Sequence, residues 1–168
     1  MGNTLKELAL AGGAFIIAGS FDASQTFSQQ KHIIINILEK LIPFGDIFFC
    51  ITVTCFGIAH FMYLKSIADM VPASVPDHTF WAYFSGVALI SSGVFIILDI
   101  RKRTIAALLG TMIFLWFIFL HIPNALANPT VDRGNEMASA FDALAFSGTA
   151  FLIALRCRNG RIDLYIDR

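Results

Sequence analysis

The sequence predicts an all-α fold, a bundle of transmembrane helices, and three observations predict it. Four long runs are almost free of charge, 57% of the 168 residues are hydrophobic, and only 14% are charged. Soluble domains carry about 25% charged residues, so most of this surface is suited to lipid rather than water. The 17 phenylalanines add apolar bulk of the kind lipid-facing helices carry. Twelve basic side chains balance twelve acidic ones. That leaves neither the basic excess of a nucleic-acid-binding protein nor an acidic interaction arm.

A helix rising 1.5 Å per residue crosses the ~30 Å of membrane hydrocarbon in about 20 residues. The first segment is the shortest. Residues 8–21 are uncharged, so a crossing requires the helix to extend over 4–23, with Lys6 and Glu7 at the membrane edge and Lys6 snorkelling. No small-residue cleavage site follows it, and it is read as retained. The alternative is a tucked or re-entrant segment. Over 32–42 the pattern changes: Ile33, Ile34, Ile37, Leu38 and Leu41 share one helical face, and His32, Asn36, Glu39 and Lys40 share the other. This predicts an amphipathic interfacial helix ended by Pro43 and Gly45.

The remaining four spans need no extension. Residues 47–64 form a membrane-length run in which His60 is the one group of a type that ordinarily titrates near neutral pH. Residues 79–98 contain no charge, and neither does the stretch 104–127, of which 104–124 forms the span. Residues 137–155 are interrupted only by Asp142. Glycines at 12, 13, 57, 86, 93, 110 and 148 mark where backbones are expected to approach closely, as bundles in lipid require.

Lysine and arginine set the orientation. With five spans, one side collects Lys31, Lys40, Arg101, Lys102, Arg103, Arg156, Arg158, Arg161 and Arg168, and the other Lys6, Lys65 and Arg133. The bias places the C-terminus in the cytoplasm of a cell with this multi-pass protein in its cytoplasmic (inner) membrane. It does not decide whether the first segment crosses.

Ionisable groups within a membrane are expensive and need a partner or a task. Helix parity puts His60, His121 and Asp142 at one level, one or two turns below the outer interface, with Glu7 joining them if the first segment spans. Tyr63 follows His60 by three residues on the same predicted face. Ser139 and Thr149 extend a polar stripe through Asp142, and Trp81 and Tyr83 open their span at the depth of an aromatic belt. The loop Val71-Pro72-Ala73-Ser74-Val75-Pro76 is stiffened by two prolines, which suits a lid over an outward-facing cavity. Each residue also has a plainer reading. The histidines and the aspartate can simply hydrogen-bond helices together, Trp81 and Tyr83 can anchor the interface, and Arg101-Lys102-Arg103 can be a topology signal. No metal is expected, since no HxxxH or ExxH pair is present. Cys50, Cys55 and Cys157 have no CxxC spacing and predict no disulfide framework.

Across the same residues the sequence resembles the DoxX-like family of polytopic membrane proteins. The resemblance is carried by FGIAHF (56–61), VPASVP (71–76), FWAYFSGVALISSG (80–93), LHIP (120–123) and GNE (134–136). It implies a four-helix core in a prokaryotic cytoplasmic membrane, to which the short N-terminal segment is an addition. It also implies kinship with a subunit linked to a terminal quinol oxidase, and with partners or assembly factors of other membrane and redox proteins. It carries no catalytic residue set.

Two functions follow as expectations. In the first, the chain is a membrane subunit that binds a small apolar molecule, with a quinone head group as the leading class. His60, Tyr63, Trp81, His121 and Asp142 would then be the ligand-binding residues. In the second, it is a non-catalytic partner or assembly factor for another membrane or redox protein. No Rossmann glycine pattern, P-loop or haem-attachment motif is present, and no catalytic triad context. Any enzymatic role would be as part of a quinone-linked oxidoreductase, and no cofactor is required by the sequence.

Overall fold

A computed structural model describes residues 2–20, 37, 40–73, 75–127 and 135–166. Among the described residues every regular element is helical. Helix α1 covers Gly2–Ala18. A short 3-10 turn, Ile42–Phe44, has Pro43 in its opening positions, where the missing N–H removes no bond. It leads into α2, Gly45–Met62. Helix α3 is Leu64–Met70 and α4 is His78–Ile97. Asp77 caps α4 from a left-handed backbone conformation (φ 54°), its carboxylate accepting the Phe80 N–H at 3.1 Å. Helix α5, Lys102–Trp116, passes through a π-turn, Phe117–His121, into α6, Ile122–Ala127. The last helix, α7, runs from Asn135 to Ile166.

Four helical stretches are long and apolar enough to cross a membrane: Ile42–Met62, His78–Ile97, Lys102–Ala127 and Glu136–Cys157. They lie on the four runs expected to span, and the chain is a multi-pass membrane protein. Their outward faces agree with that solvent, since Ile51, Ile58, Phe84, Val87, Leu108 and Phe141 are all exposed. An apolar surface of that extent is stable against lipid and a liability in water. One break was not expected. The span expected to reach residue 64 stops at Met62, because Tyr63 leaves helical geometry (φ −119°, ψ 35°) and α3 starts anew at Leu64. Most of the expected amphipathic helix over 32–42 lies outside the described residues, His32 included.

The packing order follows from small residues and a few interhelical hydrogen bonds. Helix α4 lies antiparallel on α2, with Gly57 and Gly86 at the crossing. A Cβ on Gly57 would stand 2.8 Å from the Gly86 carbonyl oxygen and 2.9 Å from the Ile90 nitrogen, so only hydrogen fits. Gly148, expected to be a packing glycine, meets nothing within 4 Å and is exposed. Helix α7 packs on α5, where the Ser147 hydroxyl donates to the Gly110 carbonyl at 3.1 Å.

Helix α1 completes the arrangement by contacting both α2 and α7. It is antiparallel to α2: Thr52 Oγ1 donates to the Leu5 carbonyl at 3.1 Å, and Gly45 abuts Gly12 one helix-half further on. It is parallel to α7, with Lys6 beside Asp142 and Gly13 against Thr149. The order around the bundle is therefore α1, α2, α4, α5, α7 and back to α1. Inside it, Phe49, Val53, Phe146 and Ile153 form the buried core, with Phe49 and Phe146 edge-to-face at 6.1 Å. At one end Asp46 of α2 pairs with Lys102 of α5 at 2.7 Å and Arg156 of α7 at 3.5 Å. Lys102 thus ties helices together in addition to any effect on topology.

Candidate ligand-binding cavity

At the end of the bundle opposite Asp46, the helices enclose a cavity of about 250 Å³. An engineered apolar cavity of roughly 150 Å³ admits a benzene ring, so this one has room for a ring with substituents. Helix α1 gives it Lys6, α2 gives Val53, Phe56 and His60, and α4 gives Trp81, Ser85 and Leu89. Helix α5 and the π-turn bring Trp116 and His121, and α7 brings Ser139, Asp142 and Phe146. The walls are mostly apolar and aromatic, with a small set of convergent polar groups. Small-molecule sites share that composition.

The expected site residues divide. His60, Trp81, His121 and Asp142 all face this one space. Tyr63 does not: it is 60% exposed, outside the cavity wall. The three-residue spacing from His60 places it on the same face only if the helix continues, and α2 ends at Met62. Glu7 is exposed, whereas its neighbour Lys6 turns inward.

Lys6 is the principal cavity residue that sequence reasoning missed. Instead of only snorkelling at the membrane edge, its Nζ lies 3.0 Å from Asp142 Oδ2 and donates to Ser139 Oγ at 3.1 Å. Both side chains of the ion pair are about one-fifth exposed, 22% and 20%, so the pair is largely withdrawn from solvent. The shared depth of the first and last spans, with one cation and one anion, was the available signal.

Three features fix the chemistry of the polar groups. His60 Nδ1 is 2.8 Å from the Phe56 carbonyl oxygen, a contact that requires Nδ1–H as donor. The neutral ring therefore keeps Nε2 as an acceptor. His121 Nδ1 is buried with no hydrogen-bond partner among the described residues. A buried polar atom of this kind is satisfied by water or a ligand in most proteins. Trp81 and Trp116 stand edge-to-face at 6.0 Å and 81°, giving the cavity a rigid aromatic wall.

The π-turn positions His121. Pro123 has no N–H to offer the Phe119 carbonyl, and its ring would crowd that oxygen in an α-helix. The chain widens instead, and the Ile122 N–H bonds to the Phe117 carbonyl five residues back. Such turns occur often at functional sites.

Among the described residues, no group of three His, Cys, Asp or Glu side chains could hold a metal ion. Cys50, Cys55 and Cys157 are free thiols. A family model described as a domain of unknown function (DUF8561) matches residues 49–155, from α2 into α7. No curated protein and no solved structure matches the chain.

Proposed function

The chain belongs to the DUF8561 family, and from that premise we propose that it is a membrane subunit holding a small, ring-bearing apolar molecule in the cavity, with a quinone head group as the best-fitting class. The observation that carries the reading is the convergence of His60, His121, Lys6 and Asp142 on one aromatic-walled space. A quinone offers two carbonyl acceptors across a flat ring in its oxidised form and two hydroxyl donors in its reduced form. Lys6 and a protonated nitrogen of His121 supply donors, and His60 Nε2 supplies an acceptor. Trp81 and Trp116 bound the ring. When bound, the molecule would supply two-electron redox chemistry. The residues named here bind it, orient it and keep the surrounding hydrocarbon off its polar edge.

The resemblance to DoxX-like proteins supports the same reading, and the lysine and arginine bias supports a cavity that opens away from the cytoplasm of a cell's inner membrane. Crossing of the membrane by α1 belongs to this proposal. Its parallel run beside α7 and its antiparallel run beside α2 support it.

Native mass spectrometry of protein extracted in mild detergent, with lipids and quinones assayed alongside, is the test. A stoichiometric quinone-class molecule that is absent from Asp142→Asn, while that variant stays folded, is the expected result. A protein co-purifying in its place, with no small molecule, would instead identify the chain as a partner or assembly factor.

A further inference from the structure

The family match begins at residue 49, so α1 lies outside it, yet Lys6 of α1 reaches the cavity and pairs with Asp142. Without that ammonium, the same cavity would present a carboxylate within walls that include Trp81, Trp116 and Phe56. An anion set among aromatic faces is the chemistry that recognises an organic ammonium. Lys6 occupies that position 3.0 Å from the carboxylate and is also held by Ser139.

We infer that Lys6 is the residue that determines ligand charge in this cavity: it acts as a tethered cation that neutralises Asp142, so the site accepts uncharged ring molecules and refuses organic cations. This rests on the reading of the cavity as a ligand site, but not on the neutral ligand being a quinone. A neighbouring cation both occupies the space beside Asp142 and repels a second positive charge. Helix α1 is then the element that converts a cation-selective core into a site for neutral molecules.

Both tryptophans of the chain line the cavity, so intrinsic fluorescence reports on its occupancy without background from elsewhere. The experiment titrates benzyltrimethylammonium into detergent-solubilised full-length protein. Wild type should show no saturable response. Lys6→Met should respond saturably, binding at least about tenfold tighter than wild type. Lys6→Arg should match wild type, and Lys6→Met combined with Asp142→Asn should lose the response. Lys6→Gln, which keeps a donor for Ser139, replaces Lys6→Met should the latter not fold. Equal response of wild type and Lys6→Met (or Lys6→Gln) overturns the inference, as does a response of Lys6→Met that survives the added Asp142→Asn.

A parallel titration of wild type with neutral benzoquinone separates the two proposals. Cation binding gained by the Lys6 variants with no benzoquinone binding by wild type retires the quinone reading alone. Benzoquinone binding by wild type with no gain of cation binding retires the charge inference alone.

Discussion

Lys6 and Asp142 each have their charge balanced by the other, at 3.0 Å and with both side chains about one-fifth exposed. Removing one partner leaves the other in a mostly apolar wall. The penalty for such a stranded group is about 1–3 kcal/mol, and partial exposure favours the lower end. Asp142→Asn and Lys6→Met should therefore each destabilise the protein by roughly 1 kcal/mol. The double variant should lose less than the sum, with a coupling of about 0.5–1 kcal/mol in reversible unfolding from mixed micelles. Strict additivity would mean the pair contributes nothing jointly. A second contrast concerns glycine. Gly57 meets backbone atoms at 2.8 and 2.9 Å, whereas Gly148 faces open space. Gly57→Ala should cost about 1–3 kcal/mol by forcing α2 and α4 apart, while Gly148→Ala should be neutral or stabilise by up to ~1 kcal/mol through helix propensity. Matching melting temperatures for the two variants would remove the close α2–α4 contact from the account.

At the level of elements, the four apolar stretches were legible because charge is excluded from them over a membrane's thickness. What that signal cannot carry is any break in regular geometry inside a uniformly apolar run. The interruption at Tyr63 involves no glycine or proline, so nothing in the sequence separated α2 from α3, and Tyr63 was assigned to a face it does not share. Pro123 was visible, but whether a proline kinks, ends or widens a helix depends on its packing partners. Here it widens the chain into the π-turn, which adds one residue to the turn carrying His121. Pro123→Ala restores the missing N–H and removes the ring, so α-helical bonding can resume with no residue removed, and His121 then turns by about 100° relative to the rest of α5, the angle per residue at 3.6 residues per turn. The expected outcome is a protein that still melts cooperatively but no longer shows a saturable tryptophan response to benzoquinone. An unchanged response would show that the π-turn does not aim His121 at the ligand.

Over the whole molecule, two ionic clusters that join different helices lie at opposite ends among the described residues: Asp46 with Lys102 and Arg156 at one, Lys6 with Asp142 at the other. The site was legible from depth, since His60, His121 and Asp142 were placed at one level by helix parity alone. The partner of Asp142 was not, because parity gives height in the membrane and says nothing about which helices are neighbours. The arginine- and lysine-rich end is the one expected to face the cytoplasm. A reporter active only outside the cytoplasm should be silent when fused after Arg168 and active when inserted at Asp132. The opposite pattern would invert the orientation and turn the cavity inward.

Joining the first helix to the last also has a consequence for how the protein is made. Lys6 and Ser139 are 133 residues apart in the chain. At the ~5–20 residues per second of ribosomal synthesis, α1 waits on the order of 10 s for α7 to emerge. During that interval α2, α4 and α5 can assemble, but the Lys6 ammonium has no Asp142 to meet. The ring closes only once α7 has been made, so a nascent chain stalled before α7 displays an uncompensated cation on α1. That charge distinguishes a chain lacking α7 from one that has it, and it is paired in the step that completes the cavity.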